Sequence, residues 1–273
     1  MKLNIATKAT FWQQRTSKIG RLPPSKWTIP LLNTASLCYN TLRARTTSPR
    51  PILYEKVHLF MEISWLGHSC FQLRGKNIVL ITDPFTPSQG DASRLSKLNA
   101  SIVTISHNHP GHNNTEGVSG NPRIVRGPGE YEINDVLITG VASYHDEKHG
   151  KDYGRNTIYI IHIDELAICH LGDLGHTLYE EQLEEVADAD ILFVPIGGEH
   201  TLNATKAAEV ISQIEPRIVV PMHYHHMPTD EPSPALITFC REMGVETINP
   251  QPKLTVTRNS LPTEMQIVLL ATR

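Results

Sequence analysis

Short apolar segments follow one another closely from Met61 onward, and this pattern limits the fold more than any other feature. The first three predict a β meander, whose second and third strands are joined by the turn-like Gly75-Lys76-Asn77. Five more runs follow before any helical pattern, and several are continuous enough to be buried on both faces. The predicted strands of this first half are 62–66, 70–74, 78–82, 101–106, 123–126, 136–143, 157–163 and 166–170.

Helical spacing arrives only later, at 178–187, 204–214 and 233–243, where Pro234 suits a first helical turn. Two further strand-like runs, 191–195 and 217–221, alternate with these helices. This order favours an α/β sandwich, with two β sheets and helices packed outside them, over a doubly wound sheet. We expect one domain that spans residues 61–273.

The first 60 residues differ from the rest of the chain in charge. They contain ten Lys and Arg side chains and one acidic residue, whereas residues 61–273 contain 15 basic and 27 acidic residues and carry a net charge of −12. They show no sustained periodicity, so we expect residues 1–60 to form a disordered extension. Three origins remain open: upstream sequence before a true start at Met61, an organelle-targeting segment, or a basic tail for anionic partners.

Composition excludes several classes of protein. No stretch reaches the roughly 18 consecutive apolar residues of a membrane span, so no span is expected. The four cysteines form no C-x-x-C pair, which argues against a zinc knuckle or a disulfide framework and favours a reducing, cytoplasmic location, with organelle targeting as the alternative. The net charge of −12 after residue 60 opposes a nucleic-acid partner. The oligomeric state is not predicted.

Three histidines, His107, His109 and His112, stand immediately after the predicted strand 101–106. Two histidines spaced i, i+2 where the chain leaves a strand can point both rings at one ion, and neutral imidazole binds zinc, iron or nickel well. Because three crowded imidazoles have no ordinary packing purpose, the cluster predicts a metal site.

Other predicted strands also end in residues that can bind a metal, namely His145, His170 with Asp173, His200 and His223. Each alone is better explained as a partly exposed polar residue, or, for Asp173, as a turn residue. Strand ends of a layered α/β protein gather at a common rim, however, so residues distant in sequence can converge there.

The ordered set of these motifs resembles the metallo-β-lactamase superfamily, in particular its L-ascorbate-6-phosphate lactonase-like branch. The resemblance covers Met61 to about Met227 and implies an αββα sandwich with a metal site along one edge of the two sheets. The motifs that carry it are Gly67-His68-Ser69, Asp83-Pro84, the histidine cluster, His145, Gly172-Asp173 and Val220-Pro221-Met222-His223.

The resemblance also implies a role for each site residue. His107, His109 and His145 would hold a first metal, Asp173 would bridge, and His112 with His223 would help to hold a second. Asp83 would support the site from behind the ligands. Asp173 and His223 are the two residues expected to take part in catalysis as well.

One position departs from the family pattern, because the aspartate expected in the cluster is Gly111 here. The second metal position thereby lacks a carboxylate ligand. The attacking water also lacks a group that could orient or deprotonate it. Neighbouring side chains that could replace it are Asn113, Asn114, Glu116, His149 and His225, and the sequence does not choose among them.

The function implied is a metal-dependent hydrolase that acts on a small-molecule lactone, ester or phosphodiester through a metal-bound water. One or two zinc ions are the expected cofactors, with manganese or iron as alternatives. The main alternative function is a non-catalytic metal-binding or ligand-sensing protein that lost turnover with the aspartate. Purely structural metal binding fits less well, because the ligands come from distant segments.

Overall fold

The computed structural model describes residues 60–86, 98–198, 200–224, 233–246 and 248–272. The expected extension, residues 1–60, lies outside this part of the chain except for its last residue. The strands are β1 (Met61–Gly67), β2 (Cys70–Arg74), β3 (Val79–Thr82), β4 (Leu98–Asn99), β5 (Ile102–Ile105), β6 (Val118–Ser119), β7 (Arg123–Arg126), β8 (Gly129–Ile133), β9 (Val136–Tyr144), β10 (Arg155–Ile163), β11 (Leu166–His170), β12 (Ile191–Pro195), β13 (Ile218–Met222), β14 (Leu254–Val256) and β15 (Gln266–Ile267).

These strands form two main sheets. The first has the order β14-β1-β2-β3-β5-β7, in which β3, β5 and β7 run parallel. The second has the order β15-β13-β12-β11-β10-β9-β8; its strands β8 to β11 form an antiparallel meander, and β11, β12, β13 and β15 run parallel. Strands β4 and β6 form a separate parallel pair.

The main hydrophobic core lies between the two sheets. Phe71 of the first sheet stacks on Phe193 of the second, with ring centroids 4.1 Å apart, and both rings are fully buried. Successive residues of the first sheet point to opposite faces, so Leu80 joins this core whereas Ile81 joins a smaller cluster with Leu98 of β4. Strands β1, β2, β3 and β5 of this sheet are therefore covered on both sides, which explains their continuous apolar runs.

Among the described residues, three α-helices accompany the second sheet: α1 (Glu180–Val186), α2 (Ala204–Ile214) and α3 (Pro234–Glu242). Helix α2 begins at Asn203, whose side chain accepts a hydrogen bond from the Lys206 N–H. Helix α3 begins at Ser233, whose side chain accepts one from Leu236, and Pro234 occupies its first turn as predicted. The apolar face of α2 joins the main core. Two short 3-10 helices, Thr115–Gly117 and Arg258–Ser260, complete the described elements.

The predicted fold class, an αββα sandwich of two sheets and outer helices, is confirmed. The strands that the sequence did not predict are β4, β6, β8, β14 and β15. Strand β8 was missed because it is an edge strand with few buried side chains, so its sequence Gly-Glu-Tyr-Glu-Ile lacks an apolar run. In the described part of the chain, no helix has the length and apolar character needed to cross a membrane.

Candidate metal centre

The predicted site residues stand where strands of both sheets end. Strands β9, β11 and β13 point the same way, and β3 runs parallel to β5, so their carboxyl ends collect at one edge of each sheet. The residues that follow these ends are Asp83 after β3, His107 after β5, His145 after β9, Asp173 after β11 and His223 after β13.

A single oxygen, Oδ2 of Asp173, lies among four imidazoles. Its distances to the Nε2 atoms are 3.0 Å for His112, 3.2 Å for His145, 3.5 Å for His223 and 3.7 Å for His107. Asp173 is 3% exposed, so water screens this carboxylate little. Four rings that converge on one buried oxygen are the arrangement expected around a bridging carboxylate.

Two sets of candidate ligand atoms share this centre. His107, His109 and His145 place one ligand atom each within 4.8 Å of one another, and His112, Asp173 and His223 do the same. These are the two sets expected from the sequence. The structure thus brings together all six proposed ligands.

Hydrogen bonds behind the rings set the tautomers of His107 and His112. The Ser106 hydroxyl donates to Asp83 Oδ2 at 2.5 Å, so Ser106 Oγ is left to accept from His107 Nδ1 at 2.9 Å. His112 Nδ1 donates to the same Asp83 oxygen at 3.0 Å. Both rings therefore carry a proton on Nδ1 and turn Nε2, the atom available to a metal, toward the centre.

His145 follows the same rule. Its Nδ1 lies 2.8 Å from the backbone oxygen of His200, and because a carbonyl only accepts, Nδ1 carries the proton. His145 Nε2 therefore faces Asp173 as an acceptor.

The donor set suits a divalent cation. His107 Nε2 is buried without a hydrogen-bond partner in the described structure, and an unsatisfied buried acceptor is costly. Nε2 lone pairs beside a carboxylate are acceptors facing an acceptor, and a cation between them would satisfy them all. Three neutral imidazoles and one carboxylate match an open zinc site.

Asp83 supports the ligands. Its Oδ1 accepts the Ser106 N–H at 2.7 Å, and its Oδ2 accepts both the Ser106 hydroxyl and His112. Asp83 can form a group with His107 and His112, but both of its oxygens are already engaged. It therefore matches the expected supporting carboxylate better than a ligand.

The charges of the site favour a cation at its centre. Burial alone would raise the pKa of Asp173, but His223 and His112 hold it well below its usual range. Burial would lower the pKa of His112, yet Asp173 and Asp83 raise it to about 10. Burial and the charge of His112 lower the pKa of His107 to about 3, so this ring is neutral at pH 7.

The second group lacks the expected aspartate. A Cβ atom at Gly111 would meet nothing within 4 Å, and the backbone there lies outside the left-handed region. The Asn113 amide donates to Asn108, and the Asn114 amide donates to the Phe85 carbonyl. Of the other suggested replacements, Glu116 is exposed on a 3-10 helix and His149 packs beside Tyr144, and neither belongs to a candidate ligand group of the described residues. His225 lies outside the described residues.

Close packing of the strand ends depends on Gly172. Its φ is +57°, and a Cβ there would lie 2.6 Å from the Ser106 Cβ and would also collide with the Asn156 amide oxygen. Asn156 in turn accepts the backbone N–H of Asp173 at 3.0 Å. The glycine therefore lets the chain of Asp173 approach the strand end that carries His107.

Several residues at the site were not assigned roles by sequence. Ser69 Oγ donates to Asp173 Oδ1 at 3.4 Å, and Asn156 accepts the Asp173 N–H. Ser106 contacts both Asp83 and His107. Ser69 and Ser106 stand next to predicted site motifs, which is the signal that could have found them; Asn156 has none.

Two histidines at predicted strand ends are not among the candidate ligands. His170 is fully buried, and its Nε2 bonds to the Ser69 carbonyl at 2.8 Å. His200 contributes its backbone oxygen to His145. Both act on the site through backbone contacts.

A family model described as a beta-lactamase superfamily domain matches residues 62–223. The chain belongs to this superfamily. Among curated relatives, a UPF0173 metal-dependent hydrolase of Thermococcus onnurineus is 30% identical over 194 residues, which are 62% of this chain and 86% of that protein. The family match therefore runs from the second residue of β1 to His223.

Solved structures agree with this assignment. A Thermotoga maritima protein with a proposed Zn-dependent hydrolase activity in the metallo-β-lactamase superfamily is 30% identical, with a TM-score of 0.60 over 77% of this chain and 98% of that one. Igni18, a metallo hydrolase of Ignicoccus hospitalis, shares the fold at 20% identity, with a TM-score of 0.53 over 72% of this chain and 98% of that one. The superfamily, the fold and the enzyme class of metal-dependent hydrolases are thus confirmed, while the lactonase-like branch remains a prediction.

Proposed function

We propose that this metallo-β-lactamase superfamily protein cleaves a lactone, ester or phosphodiester bond in a small-molecule substrate. In this proposal His107, His109 and His145 would hold a first zinc ion together with Asp173, and His112 and His223 would offer a weaker second position. The observation that carries the proposal is the convergence of four Nε2 atoms on Asp173 Oδ2, at 3.0 to 3.7 Å.

Zinc is the proposed metal because neutral imidazoles and one carboxylate are its usual catalytic ligands, with manganese and iron as alternatives. When bound, such an ion polarises a carbonyl or phosphoryl oxygen and makes water acidic enough to attack at neutral pH. The net charge of −12 on residues 61–273 argues for a compact substrate over a polynucleotide.

The chain's own residues hold this centre in one geometry. Ser69 and Asn156 fix Asp173 through its Oδ1 and its backbone N–H. Asp83 fixes His112. Because these partners are buried, the ligands are arranged before substrate binds, which is the condition for electrostatic catalysis.

Gly111 favours a second candidate function, in which a member of this hydrolase class keeps its metal ligands but has lost turnover and acts as a metal-binding or ligand-sensing protein. The glycine leaves an open space where the expected carboxylate would stand. Such a protein would bind a metal with the same ligands but would not accelerate hydrolysis.

Metal analysis of protein purified without added zinc, paired with a substrate panel, separates the two. The panel contains an aryl ester, a lactone and an aryl phosphodiester, each assayed with metal-loaded and chelator-treated protein. We expect turnover of at least one substrate that is lost with the chelator and restored by zinc. Metal binding without turnover of any substrate would favour the sensing function, and absence of bound metal would contradict both.

A further inference from the structure

The loop between β9 and β10 begins at the proposed ligand His145 and folds back onto it. The His145 N–H donates to the Gly154 carbonyl at 3.1 Å, and the Gly154 N–H donates to the Gly150 carbonyl at 3.0 Å. The loop is therefore closed at its base, directly beside a residue of the metal centre.

The carboxylate of Asp146 holds this loop from inside. Its Oδ1 accepts the N–H groups of Lys148 at 2.7 Å and Gly150 at 2.9 Å, and its Oδ2 accepts those of Asp152 at 3.0 Å and Tyr153 at 2.9 Å. Four backbone donors on one ionised acceptor fix the path of the chain. The position of Tyr153 is thereby set by a residue adjacent to His145.

Tyr153 is an exposed aromatic residue beside the metal centre. Its ring centroid lies 4.5 Å from that of His200 and 5.5 Å from that of His145, and the residue is 41% exposed. Exposed His109 lies on the same rim, with its ring 5.4 Å from His145. A rigid tyrosine on an ordered loop offers a large contact area at little entropic cost.

Glu147, Lys148 and Asp152 of the loop form ion pairs, Asp146 is engaged by backbone N–H groups, and exposed Lys151 has no ion-pair partner among the described residues. Lys148 pairs with Asp152 at 2.6 Å, and Glu147 pairs with Lys206. These pairs offset the charges of Glu147, Lys148 and Asp152, and the exposed ring of Tyr153 is the part of the loop suited to contact an uncharged group.

We infer that Tyr153 is a specificity-determining residue whose ring binds a flat, uncharged group of the substrate next to the bond that is cleaved, and that Asp146 is its positioning residue. The inference rests on the proposed function for the place of that bond. An aromatic contact of this kind strengthens binding by roughly three- to tenfold.

Binding of two phosphonates tests the role of the Tyr153 ring without relying on turnover. Zinc-loaded native protein, Tyr153→Phe, Tyr153→Ala and the control Phe60→Ala, which removes another exposed aromatic ring, are titrated calorimetrically with phenylphosphonate and methylphosphonate. We expect the native, Tyr153→Phe and Phe60→Ala proteins to prefer the phenyl compound by roughly three- to tenfold, and Tyr153→Ala to lose this preference while keeping its zinc.

The role of Asp146 is measured by amide hydrogen exchange. In Asp146→Asn one carboxylate oxygen becomes an NH2 group facing two N–H donors, so exchange in residues 148–153 should accelerate by roughly tenfold or more, and the phenyl preference should weaken. Unchanged exchange would show that Asp146 does not position the loop.

Three outcomes would contradict the proposed role of Tyr153. They are a phenyl preference that survives in Tyr153→Ala, equal losses of affinity for both phosphonates together with loss of zinc, and a native protein that binds neither compound. The hydrolase proposal is judged separately by turnover of the substrate panel. A sensing protein without turnover would still discriminate between the two phosphonates if Tyr153 binds the ring.

Discussion

Nε2 of His112 lies 3.0 Å from Oδ2 of Asp173. The Nδ1 atom of the same ring donates to Asp83, so the atoms that face each other are a lone pair and a carboxylate oxygen, and only a proton or a cation between them is stabilising. The raised pKa of His112, about 10, reflects the same field. We expect a metal to compete with that proton here, which makes this pair the core of the second position.

The first prediction concerns the three-histidine group. Changing His109 to Ala removes one neutral ligand and leaves the coordination incomplete, so bound zinc should fall well below the native content. The matched control is His162→Ala, an exposed position on β10 that should keep its metal. Equal zinc in both variants, measured by atomic emission after dialysis, would show that the cluster has been misinterpreted.

Asp83→Asn tests the support behind the ligands. The amide has one oxygen in place of two, so it cannot accept all the hydrogen bonds that Ser106 and His112 donate. The His112 tautomer is then no longer fixed, and zinc affinity should fall by roughly 10- to 100-fold. Exposed Asp188→Asn should have no effect. Affinities from competition with a chromophoric chelator give the comparison, and an unaltered affinity in Asp83→Asn would remove Asp83 from the centre.

The positions of the proposed site residues follow from sequence more directly than the edges of the sheets do. The six proposed ligands, which the family resemblance selected from the His and Asp residues at strand ends, lie together in the structure, because such strand ends are a local pattern that sequence shows directly. Strands β14 and β15 were missed because they are short and only partly buried, so no apolar run marks them. An apolar pattern in the sequence marks segments that are buried. Strands β14 and β15 are instead stabilised by backbone pairing with β1 and β13, which the sequence pattern does not show.

Contacts made through the backbone were also beyond sequence reasoning. His145 is oriented by the carbonyl of His200, 55 residues away, and Asp173 by the side chain of Asn156. A carbonyl is present at every position, so nothing in the residue type of His200 announces this role. Such partners follow from the tertiary fold alone.

A pH prediction follows from His176, which is not one of the proposed ligands. Its Nε2 accepts the Tyr144 N–H at 3.2 Å, its Nδ1 donates to the Thr177 carbonyl at 2.7 Å, and burial lowers its pKa. In the unfolded chain this histidine has an ordinary pKa of about 6.5, so it binds a proton more readily than the native ring does. Stability is therefore lost as the pH falls below that value.

His176→Gln cannot take up that proton. The free energy of unfolding should therefore decrease less steeply below about pH 6.5 than in the native protein, by at most about 1.4 kcal/mol per pH unit. Urea unfolding at several pH values measures the slopes, with exposed His162→Gln as the control. Parallel slopes in native protein and His176→Gln would contradict the prediction.

Gly172→Ala should disrupt the packing of the two sheet edges. The new methyl group would lie 2.6 Å from the Ser106 Cβ in a backbone conformation with φ +57°. We expect a loss of about 2–4 kcal/mol in stability together with loss of zinc. Gly127→Ala is the matched control, because φ there is +79° and nothing lies within 4 Å of the added Cβ.

The difference between these two variants isolates the collision from the backbone strain. Gly127→Ala should lose only about 1–2 kcal/mol and should retain its metal. Similar losses of stability and zinc in both would mean that the close approach at Gly172 is not what orders the site.

The last prediction concerns Gly111. If this glycine stands where a metal-binding aspartate belongs, the native chain should hold about one tightly bound ion, because His112, His223 and the shared Asp173 leave the second position short of a ligand and of negative charge. Gly111→Asp supplies both, and the structure offers no steric objection, since the added Cβ meets nothing within 4 Å and the backbone is not left-handed. The stoichiometry should therefore rise toward two ions, and phosphodiesterase activity should appear or increase. Gly111→Asn, which has the same shape without the charge, is the control and should stay near one ion. Calorimetric titration with zinc decides the matter, and two tightly bound ions in the native chain would mean that another residue already takes the place of the aspartate.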